Sequence, residues 1–393
     1  MSRRDTHDVA VVGAGVVGST AALSLAREGL RVAIVEAHEP SAWHADDSDL
    51  RVYAFAADAQ GLLDALGVWP GIASARVQAY RRMRVWDARA GGEMSFDADA
   101  FGRDCLGHIV EHALLVDRLW AAVSRNPNIQ RFCPDRLQEL DQDTDSAGLT
   151  LQSGKHVRAR LVLGADGAAS RVRELAGFAV DERDYDQCGL VAYVHTSRPH
   201  EATCWQRFLS TGPLAFLPCS DGRSSIVWTL PTAEAERLLA VDEASFCAEL
   251  TRAFDARLGE VTGVSARRAF PLRRKLAREM LRGRVALIGD AAHAVHPLAG
   301  QGVNLGLRDV AALAALVREA GSAGRDFTSP HRLQRWARAR LSENTVAAYS
   351  FEAINRIFSN DALLPTLARG PLLGLAGKFP PLARFFWRRA AGL

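Results

Sequence analysis

Asp8-Val-Ala-Val-Val12-Gly13-Ala-Gly15-Val-Val-Gly18 is the stretch on which the fold turns. Its first half reads as a short buried strand, and its second half is a G-x-G-x-x-G. The pattern predicts a helix over residues 17–28, with Ala21, Ala22, Leu25 and Ala26 as its apolar stripe. Gly29 follows, a residue free to take positive φ and end that helix. Arg31-Val-Ala-Ile-Val35 then reads as a second buried strand, ending at Glu36. The three glycines have separate tasks. Gly13 permits a tight turn, Gly15 lets backbone approach a pyrophosphate, and Gly18 lets helix and strand pack closely. The helix N-terminus offers N–H groups and a positive dipole end to phosphates. Glu36 lies about 20 residues on, where an acid binds ribose hydroxyls and repels a 2′-phosphate.

Two later segments read as the same nucleotide site revisited. Leu161-Val-Leu-Gly164-Ala-Asp166-Gly167-Ala-Ala-Ser170-Arg-Val-Arg173 is a strand, a turn and a helix start, with Ser170 as N-cap. An ordinary strand–turn–helix joint would look the same. The third segment is Arg284-Val-Ala-Leu-Ile-Gly289-Asp290-Ala-Ala-His293-Ala-Val-His296-Pro297-Leu-Ala-Gly300-Gln301-Gly302-Val-Asn304-Leu-Gly306. A strand ends at Gly289-Asp290, a glycine-containing loop follows, and an apolar helix is expected from about residue 303 to 320, stopping at Gly321. A carboxylate at a strand end accepts hydrogen bonds from sugar-like hydroxyls. Glycines let backbone N–H groups approach a flat ring, and a helix N-terminus favours an anionic one. His293 and His296 carry little weight as metal ligands, because no Cys, Asp or Glu completes a set at a sensible spacing.

Bulk composition narrows the alternatives. A chain of 393 residues points to two or three domains. A net charge of +3, with no basic patch interleaved with aromatics, argues against nucleic-acid binding. The six cysteines are scattered, with no metal-pair or redox-pair spacing. No run long enough to span a bilayer is present, and no secretory signal is visible. Ser–His–Asp and Cys–His constellations are likewise missing.

Taken together, Gly13/Gly15/Gly18 with Glu36, Gly164-Ala-Asp-Gly-x-x-Ser170, and Gly289-Asp-Ala-Ala-His-x-x-x-Pro-x-x-Gly-Gln-Gly-x-Asn304 resemble the class A flavin monooxygenases. Leu106-Gly-His-Ile-Val-Glu111 and Arg207-Phe-Leu-Ser-Thr-Gly-Pro-Leu-Ala-Phe-Leu-Pro218 narrow the resemblance to the ubiquinone-biosynthesis hydroxylases. That likeness implies an α/β fold: a Rossmann-like FAD-binding domain (1–72, 100–178 and 275–327), an inserted mixed β-sheet substrate domain (73–99 and 179–274), and a C-terminal helical region (328–393). It implies bound FAD, with Glu36 on the adenosine ribose, Arg51 near the flavin or its phosphates, Asp166 in a bend shared with the pyridine nucleotide route, and Asp290 on the ribitol. Pro297 and Gly300 to Gly302 would border the flavin ring, and His112, Gly289, Val303 and Asn304 would be further cofactor-binding residues. His112 stands where relatives carry Asn or Arg, and Val52-Tyr53-Ala54-Phe55 replaces the usual Ala-x-Ala-Leu after Arg51. The bulkier residues would reshape the pocket. In such enzymes NAD(P)H visits transiently to reduce FAD, dioxygen adds at flavin C4a, and an oxygen passes to an electron-rich ring. The substrate expected here is a prenylated phenol. A non-hydroxylating flavin enzyme, such as a prenyl reductase or halogenase, and a non-catalytic scaffold are the competing readings.

Between the second and third motifs the texture becomes strand-rich, and Phe208, Phe216 and Trp228 are either pocket lining or sheet core. Residues 366–393 hold five basic residues (Arg369, Lys378, Arg384, Arg388, Arg389), several large apolar ones and no acid. Such a segment packs on the FAD domain or docks on an accessory protein or anionic membrane. A cytoplasmic protein peripheral to the inner membrane is expected.

Overall fold

The computed structural model describes residues 6–46, 49–88, 93–295 and 302–358. Strand Thr6–Val12 runs directly into the glycine turn. It pairs in parallel with Val32–Val35 on one side and His156–Gly164 on the other. Ile129–Phe132 and Val285–Leu287 extend this parallel sheet at its two ends. A parallel sheet covered on both faces requires nearly continuous apolar strands. Val9, Ala10, Val11, Leu161, Val162 and Leu163 meet that requirement and are fully buried. Helix Val16–Arg27 connects the first two strands, and Gly29 follows it with φ +84°. Ser170 caps helix Arg171–Leu175 by accepting the Arg173 N–H at 3.0 Å.

A second sheet is ordered His293–Ala294, Arg268–Ala277, Val180–Thr196, Ser224–Pro231, Gly212–Pro218, Thr203–Leu209, Arg82–Asp87 and Glu93–Asp97. Its largely antiparallel strands alternate sides, so one face can be packed while the other lines a space. Helices Thr232–Ala240 and Glu243–Ala253 cover the packed face, where Leu214, Phe216, Ile226 and Trp228 meet Leu238, Phe246 and Leu250. Phe216 and Trp228 are therefore core, and Phe208 is buried in a small cluster with Val85. A three-stranded sheet of Val52–Phe55, Gly107–Glu111 and Val77–Tyr80 lies alongside the other two in the chain path.

Helix Gly302–Ser322 continues through Gly321, where an end was expected. Positive φ comes instead at Gly324 (+60°), and the Arg325 N–H reaches back to the Ala320 carbonyl at 2.8 Å. Gly321 is simply a helix residue, because the capping turn needs a left-handed position two residues beyond the helix.

Asp309, fully buried in Gly302–Ser322, is the hub of a charged network. Its Oδ1 accepts from Arg340 Nε at 2.8 Å and from Asn344 Nδ2 at 3.0 Å, both on helix Pro330–Phe358. Its Oδ2 accepts from the Gly289 N–H at 3.1 Å and lies 2.5 Å from His293 Nε2. Burial alone would depress the His293 pKa, but the adjacent carboxylate outweighs burial and raises it. Burial opposes ionisation of Asp309 too, yet His293, Arg340 and Asn344 hold it below the usual carboxylate range. Removing one member of such a cluster strands buried charge, which costs more than the pair contributes. Asp309→Ala is expected to lower unfolding free energy by about 3–5 kcal/mol. Urea denaturation of the variant and parent, with equal m-values required for the comparison, measures it.

Candidate active site

The three sequence motifs meet at the first turn of helix Val16–Arg27. Gly13 has φ +102°, and a Cβ there would lie 2.5 Å from the Ala165 carbonyl oxygen. A Cβ on Gly18 would lie 1.9 Å from the Gly13 carbonyl oxygen. From the third motif, a Cβ on Gly306 would lie 2.7 Å from Val17 Cγ2. Arg173 joins the second motif to the third, donating from Nη1 to the Ala291 carbonyl at 2.9 Å. It is nine-tenths buried, and no sequence signal marked it.

Gly15 differs from its two neighbours in the motif. A Cβ there would meet nothing within 4 Å, and no side chain caps the helix it precedes. The turn therefore presents an open cradle of backbone at a helix N-terminus, the arrangement that receives phosphate. Glu36 sits behind it, with Oε2 accepting the Ala14 N–H at 2.6 Å and Oε1 accepting the His38 N–H at 3.2 Å.

A cavity of about 610 Å³ opens from this cradle. Gly15, Arg51, His112, Asp290, Gly302 and Val303 line it, all anticipated from sequence. Asp290 is half-buried, and among the described residues its carboxylate has no hydrogen-bond partner. The sheet supplies the remaining walls, including Met83, Gln206, Leu217 and Leu272.

Other anticipated residues are placed differently. Gly13 and Gly289 shape turns, Gly18 lets the helix pack against the Gly13 backbone, and none of the three lines the cavity. Asp166 spends its carboxylate on the helix behind it, accepting from Ser170 Oγ at 2.5 Å and from the Arg171 and Val172 N–H groups at 2.7 and 3.0 Å. The fully buried Asn304 side chain accepts the Ala56 N–H at 3.0 Å and donates to the Ala54 carbonyl at 2.8 Å. It thereby fastens helix Gly302–Ser322 to strand Val52–Phe55. Pro297, Gly300 and Gln301 lie outside the described residues.

The departures at positions 53 and 112 are partners. Tyr53 Oη is 3.1 Å from His112 Nδ1, and the Arg51 guanidinium lies 5.5 Å from the Tyr53 ring centre. Burial, reinforced by Arg51, lowers the His112 pKa to about 4. Burial pushes the Tyr53 hydroxyl up to about 12, against the opposing pull of Arg51. Both groups are thus neutral near pH 7. Asp49, which the sequence reading did not single out, fixes this corner. It accepts the Arg51 N–H at 2.9 Å and the Ala113 N–H at 2.8 Å, and Tyr193 Oη donates to its carbonyl at 2.6 Å.

The FAD binding domain family matches residues 6–340. The 3-demethoxyubiquinol 3-hydroxylase of Escherichia coli (strain K12) is 39% identical over 370 residues, covering 94% of this chain and 93% of that protein. This chain belongs to the ubiquinone-biosynthesis hydroxylases, a family of FAD-dependent aromatic-ring monooxygenases. Another such relative, ubiquinone hydroxylase UbiL of Rhodospirillum rubrum, is 38% identical over 387 residues, covering 98% of this chain and 89% of that protein. The fold is shared with p-nitrophenol 4-monooxygenase PnpA of Pseudomonas putida DLL-E4, at a TM-score of 0.76 and 19% identity over 98% of both chains. Klebsiella pneumoniae HpxO complexed with FAD and uric acid gives a TM-score of 0.74 at 20% identity, over 97% of both chains. The residues present fit the family's cofactor: an open glycine cradle for pyrophosphate and an unpaired carboxylate for ribityl hydroxyls.

Two predictions separate folding from cofactor binding. Gly15→Val should leave the FAD-free protein's stability close to the parent's while abolishing most flavin retention. Gly18→Ala should destabilise the FAD-free protein itself by about 1–3 kcal/mol, because its Cβ meets backbone. Unfolding of the apoproteins and flavin content after gel filtration distinguish the two. His112 supplies a pH test. Its folded pKa lies below the ordinary 6.5, so the unfolded chain takes up a proton first as pH falls. Apoprotein stability should decline from pH 6.5 towards 4, and His112→Asn should flatten that window in denaturation curves.

Proposed function

We propose that this enzyme hydroxylates the ring of a polyprenylated phenol in ubiquinone biosynthesis, with FAD bound and NAD(P)H and dioxygen as co-substrates. One observation carries the reading: the groups suited to FAD and the apolar face of the second sheet border a single cavity. When bound, FAD supplies the redox chemistry, accepting a hydride from NAD(P)H and passing one oxygen of dioxygen to the ring. The chain's own residues bind, orient and keep water out. The Gly15 turn and the helix behind it take the pyrophosphate, and Asp290 takes ribityl hydroxyls. We assign the flavin-ring border to Pro297, Gly300, Gln301, Gly302 and Val303. Met83, Phe96, Leu106, Leu217 and Leu272 form apolar walls against which a substituted ring displaces solvent.

Phe270 lines this cavity and is 55% exposed, so the cavity reaches solvent beside it. A prenyl tail longer than the cavity has its exit there. No helix among the described residues is long and apolar enough to cross a membrane. Because the tail belongs in a bilayer, we place the enzyme peripherally at the inner membrane's surface. The basic segment 366–393, outside the described residues, is our candidate for docking on that surface or on accessory proteins of the pathway.

The purified protein should be yellow. Adding NADPH or NADH under air with a prenylated phenol should consume oxygen and yield a hydroxylated ring, with faster nucleotide oxidation than without the phenol. Asp290→Ala should lose bound flavin. A colourless protein that cannot be reconstituted with FAD, or an Asp290→Ala variant with full flavin and activity, contradicts the assignment.

A further inference from the structure

We propose that the side-chain amide of Gln206 orients the substrate by hydrogen bonding to an oxygen substituent on its ring. The inference rests on the aromatic-hydroxylase reading above and adds a specific recognition group to it. Gln206 lies mid-strand in Thr203–Leu209 and is 7% exposed. Its cross-strand row is Val85, Ala215, Val227 and Val191. Ala215, Val227 and Val191 line the cavity with it, while Leu214, Phe216 and Trp228 one residue away belong to the core on the opposite face. Strand alternation therefore turns Gln206 towards the cavity.

An amide in such a row is out of place unless something pairs with it. A carboxamide offers two N–H donors and an oxygen acceptor. None of them has a hydrogen-bond partner among the described residues. The amide atoms are not sealed in the core but open on the cavity, where water or a ligand supplies the partners that the protein does not. The two nearest strand neighbours on the cavity side of the same strand, Cys204 and Phe208, are apolar or weakly polar. An apolar residue of the same length would fit this wall without cost.

Arg51, Tyr80, Thr229 and Asp290 also border the cavity with no side-chain hydrogen bond among the described residues, but of the lining side chains only Gln206 combines two N–H donors with an acceptor. Tyr53 and His112 bind each other, and Trp205 Nε1 donates to the His200 carbonyl at 3.4 Å. Gln206 is also uncharged at every working pH. It can donate to a phenolate and both donate to and accept from a phenol, so its grip survives ionisation of the substrate. A ring that carries an oxygen substituent satisfies the amide, and one that lacks it leaves the amide desolvated and unpaired. Sites of that kind discriminate strongly against the analogue missing the polar group.

The test compares 2-geranylphenol with geranylbenzene, its counterpart without the hydroxyl, on the FAD-loaded enzyme. Equilibrium binding of each is measured for the parent and for Gln206→Leu, with flavin content as a control. The parent should bind the phenol about 10- to 100-fold more tightly than the hydrocarbon, and Gln206→Leu should lose most of that ratio while binding the hydrocarbon at least as well. Its kcat/KM for the phenol should fall by a similar factor, with a larger share of NAD(P)H oxidised without product. Should Gln206→Leu fail to fold, Gln206→Met makes the same comparison. A parent enzyme that binds both probes equally, or a variant that keeps the full ratio, overturns the assignment. Absence of any hydroxylated product from the parent would instead count against the hydroxylase reading, and the binding ratio would still decide the role of Gln206.

Discussion

The contact on which everything else depends is the one between Gly18 and Gly13. A Cβ at Gly18 would sit 1.9 Å from the Gly13 carbonyl oxygen, a distance no pair of nonbonded atoms tolerates. Helix Val16–Arg27 can therefore descend onto the end of strand Thr6–Val12 only because that Cβ is missing. The same closeness admits the Ala165 carbonyl against Gly13 and brings Gly289 and Gly306 against Val17. Four glycines from distant parts of the chain thus make one compact joint. Gly15 is left as the open position within it, and the cavity begins there.

Such a joint fixes backbone, but Asp290 must also be held at a defined angle. Its loop is secured from behind by Asp309, which receives the Gly289 N–H and His293. Asp309 is in turn held by Arg340 and Asn344 on the long helix Pro330–Phe358. The chain's last described helix therefore braces the third motif without lining the cavity. Arg173 adds a second brace through the Ala291 carbonyl. Among the described residues the Asp290 carboxylate has no hydrogen-bond partner, while the backbone beneath it is tied on both sides, which suits a group kept ready to bind without being consumed by structure.

These two levels differ in how far the sequence discloses them. Glycine spacing is a local constraint, so Gly13, Gly15 and Gly18, the strands flanking them and the Ser170 cap could all be read directly. Asp290 and Gly302 could be read because a strand end and a helix start are also local. Asp166 and Asn304 stand in equally recognisable motifs, but their polar atoms are spent on the protein itself, Asp166 on Ser170 and two backbone N–H groups and Asn304 on backbone, and only three-dimensional placement reveals that. The Asp309 network joins residues from helices whose relative placement no periodicity encodes. Likewise, alternation along Thr203–Leu209 and Ser224–Pro231 separates two faces without saying which one is covered. That is why Phe216 and Trp228 could be either core or lining, and why Gln206 drew no notice.

The electrostatic character of the cavity follows from the same separation of tasks. Arg51 and Asp290 are charged, and both belong to the motifs suited to FAD. Elsewhere on the wall the titratable groups are held neutral. His112 is kept unprotonated by burial and Arg51, and burial keeps Tyr53, Tyr80 and Cys204 protonated. A charge on the substrate wall would draw water to the place where oxygen transfer must exclude it. Neutral donors and acceptors avoid that cost and still give direction to a ring that is otherwise held by apolar contact. A hydrophobic wall binds such a ring but does not choose its rotation, because the hydrophobic effect has no directional component. The choice has to come from a small number of neutral polar groups, and the cavity's composition supplies few of them.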